Sequence, residues 1–483
     1  MMLLYALLAI VLVSLAAMLL FTVSSIREQE PRAPKVGVAG FIFLLIIGWI
    51  ILIVPGSRIF FAVVFAAIIL FGLLFLIPGK SRARSLQGAM GYAEEDVRRF
   101  DERDVVFSRN RAIPPGSENY RAYYKMHPER EEYDARRRAV GGTLGKMGAI
   151  DKQYRPNVEM IKISPQMGGA LESHSAGFQM SEEAKRHLSF EPDKVSAEEI
   201  EPAKASEIIK GYARLLGADV VGICEVNSNW AYSHKGYAGW GDEVPEPLPY
   251  AVVFATEMRH QYVISSPHTS AEVECAFNYA KGTFISTALA QWFVGMGYRA
   301  KANNNRTYEM IMPPLAVDAG LGELGRCGYV ITDKLGPRAR IFACTTDMPL
   351  VPDKPVDLGA EEFCERCRKC AQSCPSRSIP EGDMVVFNGI RKWKLNDETC
   401  FDYWGKVGTG CSICMAICPY SRPNKGIHRL VRWLLKRSPL ARKVFPHVDN
   451  IVYGTKWHPR PPPSWVRPPG GRWEKKGNGY EFP

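Results

Sequence analysis

Charge is almost absent from the first 78 residues of this 483-residue chain, where only Arg27, Glu28, Glu30, Arg32, Lys35 and Arg58 carry it. That scarcity excludes a soluble N-terminal domain. It leaves three uncharged runs, 1–26, 36–54 and 59–77. Each is long enough to cross a hydrocarbon core of roughly 30 Å at about 1.5 Å per residue. The first run lacks a basic n-region and exceeds the usual apolar stretch of a signal peptide, so three retained membrane helices are expected rather than a cleaved leader. No twin-arginine pair precedes it; Arg98 and Arg99 come after the third run, where they cannot act as an export signal. Histidine is scarce as well. The nine present are scattered, and none has the spacing of a paired metal site. No internal repeat occurs apart from two cysteine runs.

Past residue 78 the composition turns polar. Over the whole chain 46% of residues are hydrophobic, and 61 basic against 50 acidic side chains give a formal charge of +11. This mixture excludes a purely embedded protein and a disordered chain. Arg27, Arg32 and Lys35 lie between the first two runs, and Lys80, Arg82 and Arg84 follow the third. Only Arg58 marks the turn between the second and third. The positive-inside bias then puts the N-terminus outside and the larger remainder in the cytoplasm, as expected of a multi-pass protein of the inner membrane. Anionic lipid and inside-positive loops account for the basic charge, so membrane lipid is an expected partner and nucleic acid is not.

Five parts follow along the chain. Residues 1–78 form the three-helix membrane anchor, and 79–195, rich in charge and turn formers, a linker with a wrapping segment. Residues 196–350 alternate helix and strand. The spacing predicts helices over 203–216 and 270–295 and strands over 219–226, 251–256 and 338–344, which argues for an α/β core. Residues 351–425 carry most of the cysteines. Residues 426–483 are a C-terminal extension whose proline-dense end, 455–483, is expected to be extended.

Eight of the 12 cysteines crowd into that fourth part. Cys364-x2-Cys367-x2-Cys370-x3-Cys374-Pro375 is answered by Cys400-x10-Cys411-x2-Cys414-x3-Cys418-Pro419. A cubane cluster needs four converging thiolates; a tight loop with two-residue gaps supplies three, and the other run supplies the fourth. Cys364, Cys367, Cys370 and Cys418 are thus expected on one [4Fe–4S] cluster, and Cys374, Cys400, Cys411 and Cys414 on a second. The ten-residue gap after Cys400 departs from compact ferredoxin spacing. Two zinc sites are the competing reading, although zinc knuckles usually lack the three-residue gap and the following proline. Cys224, Cys275, Cys327 and Cys344 lack ligand spacing and read as core residues. From these residues alone the protein is a membrane-anchored redox protein, with no substrate indicated.

Several separated stretches together resemble the reductive dehalogenases, corrinoid and iron–sulfur enzymes that remove halide from organohalides. They are Phe100-Asp-Glu-Arg-Asp-Val-Val-Phe-Ser-Arg109, Pro314-Leu-Ala-Val-Asp-Ala-Gly-Leu-Gly-Glu-Leu-Gly-Arg326, Leu350-Val-Pro-Asp-Lys-Pro355 and Cys411-Ser-Ile-Cys-Met-Ala-Ile-Cys-Pro419. They occur in family order between about 95 and 465. The resemblance implies a nitroreductase-like α/β core that holds a base-off corrinoid, fed with electrons by a ferredoxin-like domain with two [4Fe–4S] clusters. It implies an organohalide substrate. It also implies Tyr279 as the proton donor, Asn305 as a substrate-facing asparagine and Arg338 as the active-site arginine.

The residues themselves suit these roles. On the 270–295 helix, Tyr279 has Cys275, Ala276, Gly282 and Thr283 one turn away, all small, which leaves space beside its ring. A phenol with a pKa near 10 is a poor acid at neutral pH, and a nearby guanidinium such as Arg338 would lower it. Gly320-x-Gly322-x-x-Gly325 fits the spacing of a dinucleotide fingerprint, but Pro313-Pro314 precede it instead of a strand. A glycine-rich loop passing close to a large planar cofactor, the corrinoid, suits these glycines better. No Asp-x-His-x-x-Gly stretch is present to ligate cobalt. The fused anchor departs from exported family members and favours a membrane or quinol-linked electron donor. Two alternatives stand beside this reading: an enzyme like the epoxyqueuosine reductases, and a non-catalytic iron–sulfur electron-transfer subunit.

Overall fold

The computed structural model describes residues 1–79, 83–140, 191–192, 197–304, 307–464, 474–476 and 479–481. Three long apolar helices open the chain: α1 (Met2–Arg27), α2 (Ala33–Ile53) and α3 (Ser57–Leu74), each long and apolar enough to cross a membrane. Their outer surfaces carry exposed leucine, isoleucine and phenylalanine, as lipid contact requires. Glycines bring α1 and α2 together. A Cβ on Gly37 would meet Thr22 Oγ1 at 2.2 Å, and one on Gly40 would meet the Met18 sulfur at 3.2 Å.

The loop between α1 and α2 is anchored to the far end of the chain. Glu28 Oε2 lies 2.8 Å from His428 Nε2, and Glu30 accepts from Arg460 Nη2 at 2.7 Å. This loop therefore shares a side with the large C-terminal portion. An odd number of crossings requires the same.

Within 79–195, the described stretch 83–140 contains short 3-10 turns and the helices α4 (Val106–Arg111), α5 (Glu118–Met126) and α6 (Pro128–Val140). It clasps the rest through charge. Arg109, 1% exposed, donates to Asp134 Oδ2 of α6 at 2.8 Å and pairs with Glu398 beyond the cysteine loops.

The core begins with α7 (Pro202–Leu215), β1 (Val220–Glu225) and β2 (Tyr250–Glu257), followed by α8 (His260–Val263), α9 (Thr269–Gly295) and β3 (Ala300–Asn303). After α10 (Met312–Asp318) come the hairpin β4 (Gly322–Leu324) and β5 (Val330–Thr332), then β6 (Ala339–Thr346). The main sheet has the order β1-β2-β6-β3, and every neighbouring pair is antiparallel. Strand alternation sorts its side chains. Val252, Phe254, Phe342 and Cys344 meet Ile209 and Ala213 of α7 and Ile285, Leu289 and Phe293 of α9. Ala251, Val253, Ala255 and Ala343 face Leu315 and Ala316 of α10 instead. Helices on both faces bury β2 from Ala251 to Thr256, which is why residues 250–255 are continuously apolar.

The cysteine runs lie on α11 (Ala360–Cys367), α12 (Lys369–Gln372), α13 (Asp397–Val407) and α14 (Ile413–Ile417), with the hairpin β7 (Val385–Phe387) and β8 (Ile390–Lys392) between α12 and α13. Two more helices close this region, α15 (Gly426–Arg437) and α16 (Pro439–Tyr453). Asp449 of α16 pairs with Lys369, a side chain 1% exposed between Cys367 and Cys370. In the tail, residues 456–463 are without helix or strand, and the short strands 474–476 and 479–481 pair with each other.

Candidate functional site

Two rings of four cysteines stand out first. Cys364, Cys367, Cys370 and Cys418 line one small cavity. Cys374, Cys400, Cys411 and Cys414 line a second. The fourth member of each ring comes from the other run, so the two loops interlock. Left-handed backbone at Arg368, Cys411 and Ser412 turns the loops tightly enough to aim successive thiols inward. All 12 cysteines are free thiols. Among the described residues, no three Cys, His, Asp or Glu side chains close on a single metal ion. Ligands about 2.3 Å from zinc would do so. The rings therefore suit a group larger than one ion. Burial pushes the Cys400 and Cys411 thiols up to about 12, so their thiolates call for a cationic centre.

Cys327, read from its spacing as a core residue, is 2% exposed and lines both cavities. Arg326 beside it donates from Nε to Cys364 O at 2.9 Å and lies over the Trp393 ring at 4.7 Å. The conspicuous Pro314–Arg326 stretch thus ends by gripping the first cysteine loop.

Where the core meets the second ring, α9 presents Cys275 and Tyr279 to β6. Gly282 is required there, because a Cβ would sit 2.1 Å from the Phe342 ring. That ring stands edge-on to Tyr279, with centroids 6.1 Å apart at 87°. Arg340, two residues earlier on the same face of β6, holds its guanidinium 5.3 Å from the Tyr279 centroid. Its Nη2 donates to Cys275 Sγ at 2.9 Å. Arg340 Nε is buried and has no hydrogen-bond partner among the described residues. Met415 and Ala416 of α14 pack on this group, with Tyr279, Tyr329 and Cys414 around it. Tyr279, Tyr329, Arg340 and Cys414 each keep part of their surface accessible although protein surrounds them, so they border an internal space.

The guanidinium at Tyr279 is therefore that of Arg340, where the family motif leads one to expect Arg338. Arg338 is 1% exposed, and its donors are taken by Ser421 O, Glu257 Oε1 and Met258 O. The expected lowering of the phenol is also overridden. Burial raises Tyr279 above its ordinary value, and the opposing effect of Arg340 is smaller. Asn305 lies outside the described residues. Its neighbour Asn304 donates to Ser286 Oγ of α9 at 3.0 Å, and Asn303 accepts from Glu309 N at 2.9 Å. The signal for Arg340 was present in the sequence: two arginines at alternate positions of one apolar strand share a face, and spacing does not choose between them.

A larger cavity of about 290 Å³ lies beside the core, between Trp230 and Tyr232 on one wall and Phe387 and Trp393 on the other. Lys392 and Lys394 also line it, as do Gly325 and Gly328. Tyr232 on its wall lies 5.9 Å from Tyr308, with the rings tilted at 38°. Of the glycines expected at a cofactor, only Gly325 lines this cavity. Gly320, with φ +70°, and Gly322 are required by the protein itself, since their Cβ atoms would meet Lys354 O at 2.4 Å and Ile331 O at 2.1 Å. The dinucleotide alternative fails on element order, because α10 precedes these glycines, β4 runs between Gly322 and Leu324, and no helix follows Gly325 before β5 among the described residues.

A family model for the 4Fe-4S dicluster domain matches residues 363–421. The tetrachloroethene reductive dehalogenase of Sulfurospirillum multivorans is 32% identical over 293 residues, 53% of this chain and 58% of that protein. That of Desulfitobacterium hafniense is 33% identical over 278 residues, 47% of this chain and 50% of that one. The structure of a catabolic reductive dehalogenase in complex with 3-bromo-4-hydroxybenzoic acid is 26% identical, with a TM-score of 0.54, over 77% of this chain and 52% of that one. Another reductive dehalogenase structure, described as suggesting a mechanism for B12-dependent dehalogenation, matches equally well. Fold and site together define a protein with a mixed α/β core and a 4Fe-4S dicluster domain. The chain is similar to the reductive dehalogenases, and it has three long apolar helices at its N-terminus. It spans between half and three fifths of the curated relatives' length.

Proposed function

We propose that the protein is a membrane-anchored reductive dehalogenase that replaces a halogen of an organohalide with hydrogen. The observation that carries this reading is the grouping of Tyr279, Arg340 and Cys414 around one internal space. A proton donor and a cation there adjoin a thiol of the second cysteine ring. The two rings would hold the [4Fe–4S] clusters, with ligands Cys364, Cys367, Cys370 and Cys418 in the first and Cys374, Cys400, Cys411 and Cys414 in the second. A corrinoid would sit toward the Gly325- and Gly328-lined cavity, whose aromatic walls and lysines suit a flat ring with anionic substituents. When bound it would supply the reducing metal centre for cleavage of the carbon–halogen bond.

The side chains set the rest of the chemistry. Burial keeps the Tyr279 phenol protonated at neutral pH, so its proton stays on Oη until a strongly basic carbon forms within reach. Arg340, held charged by its neighbours, stabilises the phenolate that remains. Its unpartnered Nε offers a site for the departing halide. Tyr232 and Tyr308 give an apolar approach that excludes water. Asn305 is proposed as a further substrate contact, following the family motif. The organohalide's identity is set by these walls. The soluble part is proposed to lie on the cytoplasmic face of the inner membrane, since the docked α1–α2 loop carries the basic residues.

Halide release tests the reading. Full-length protein, purified without oxygen in detergent and supplied with cobalamin, is given reduced viologen and a panel of halogenated phenols and ethenes. Release of halide with formation of the hydrogenated product is expected. Cobalamin uptake without halide release from any member would count against it.

A further inference from the structure

At the opposite end of the cysteine domain lies a second apolar cavity, of about 200 Å³. Phe21 of α1 forms one wall, and Val431, Phe445 and Tyr453 of α15 and α16 form others. Phe21 is roughly 9 Å from the end of its helix, counted at about 1.5 Å per residue, so the cavity reaches the flank of a candidate membrane span. Its inner wall is Phe363, Pro419 and Tyr420, residues that also line the Cys364–Cys418 ring. One layer of side chains thus separates the two spaces.

Its mouth is apolar and exposed. Ile427 and Val448 line the cavity while remaining 43% and 40% exposed. Leu430, Trp433 and Ile451, also exposed, continue the apolar surface along α15 and α16. Basic residues alternate with this stripe, as on a helix lying in the headgroup plane. The deep end is polar. His428 lines it, 9% exposed, and Glu28 beside it is 7% exposed. The Glu28 carboxylate lies 2.8 Å from Nε2 of the ring. Arg422, stacked on Tyr453 at 3.5 Å and paired with Asp449, completes that end.

We propose that this cavity binds a membrane quinol and oxidises it, delivering its electrons to the first cysteine ring's cluster. An apolar slot open to lipid takes the isoprenoid chain, and the His428–Glu28 pair takes up protons. The inference rests on the dehalogenase reading above, which supplies the oxidant. The quinol loses two electrons and two protons and becomes the quinone; the organohalide gains two electrons and one proton. Net, R–X plus quinol gives R–H, X⁻, quinone and one H⁺.

Binding can be read without turnover. The fluorescence of 2-heptyl-4-hydroxyquinoline N-oxide, a quinol analogue, is titrated with the detergent-purified full chain. Saturable quenching at one site per chain is expected. V452W, which fills the cavity, and H428Q are each expected to weaken it by at least about tenfold. Should either variant lose its iron, wild-type protein is photolabelled with an azidoquinone. Label on peptides containing Phe21, His428 or Tyr453 supports the site, and label elsewhere overturns it. Quenching that does not saturate, unchanged affinity in variants that retain iron, or a phospholipid that no quinone displaces would also overturn it. The two proposals separate cleanly. Viologen-driven halide release without quinone binding refutes this site alone, whereas quinone binding without halide release under viologen refutes the dehalogenase.

Discussion

At the core end of the cysteine domain, Tyr279 and Arg340 share an internal space with Cys414 of the second ring. At the membrane end, Tyr453, Arg422 and His428 share a cavity with the wall of the first. Each end thus combines a phenol, a cation and apolar walls. The partners of the cations differ. At the membrane end Arg422 is paired with Asp449. At the core end Arg340 has no carboxylate in salt-bridge contact among the described residues, and its Nε has no partner. A cation neutralised in advance gives little to a developing anion, whereas an uncommitted one stabilises it fully. The core end is therefore built to meet new negative charge, and the membrane end to hold a neutral molecule and pass protons to fixed carboxylates.

Substitutions can break or sharpen this contrast. The largest effect is expected for Y279F, which should lower viologen-driven halide release by about 10²- to 10⁴-fold, the usual worth of a positioned proton donor. Equal rates in the two proteins would remove Tyr279 from the chemistry. R340Q should cost roughly 10²-fold in the same assay, as loss of one anion-stabilising donor does. R338Q serves as its counterpart two residues away. Losing hydrogen bonds to Glu257, Met258 and Ser421 should cost about 2–3 kcal/mol of stability in thermal unfolding. A rate loss in R338Q larger than in R340Q would reverse the assignment of the two arginines.

The two rings should also come apart under separate stresses. Asp134 is fully buried and binds Arg109, which reaches Glu398 on the helix that bears Cys400. D134N leaves that guanidinium buried and underpaired, at a cost of roughly 3–5 kcal/mol. Iron should be lost from the second ring before the first, as read by iron content and electron paramagnetic resonance. Near the first ring, Glu323 accepts from Ala360 N and Ser85 Oγ. Burial pushes its carboxyl up to about 8 from an ordinary 4.5. A raised carboxyl stabilises the fold fully below its unfolded value, and that stability is lost as pH rises through about 8. E323Q should flatten the fall in melting temperature across this window, the smallest of the five effects.

The same contrast shows what the sequence makes legible. Helix α9, the strands β1, β2 and β6 and the cysteine runs were readable because their signals are local: apolar periodicity, continuous apolar runs and ligand spacing. The core sheet was readable as α/β, but its antiparallel pairings rest on long-range register. Arg340 was obscured by Arg338, since residues two apart on a strand share a face. The membrane end was hidden almost entirely. His428 meets Glu28 across 400 residues of chain. The C-terminal helices α15 and α16 carry Pro439 at a helix start and Pro446 inside a helix, and they gain apolar partners such as Phe363 and Phe21 from distant parts of the chain. The glycines at 320 and 322 follow the same rule, answering to backbone neighbours that lie far along the chain.

A single-turnover experiment tests the central claim most directly. Full-length protein loaded with cobalamin is reduced without oxygen, freed of reductant and mixed with an organohalide active in the viologen assay. Halide released and reduced cluster signal lost are measured on the same samples. One halide should appear for every two electrons withdrawn, and Y279F should keep its clusters reduced and release none. Clusters that remain reduced in wild-type protein while the organohalide stays intact would contradict the account.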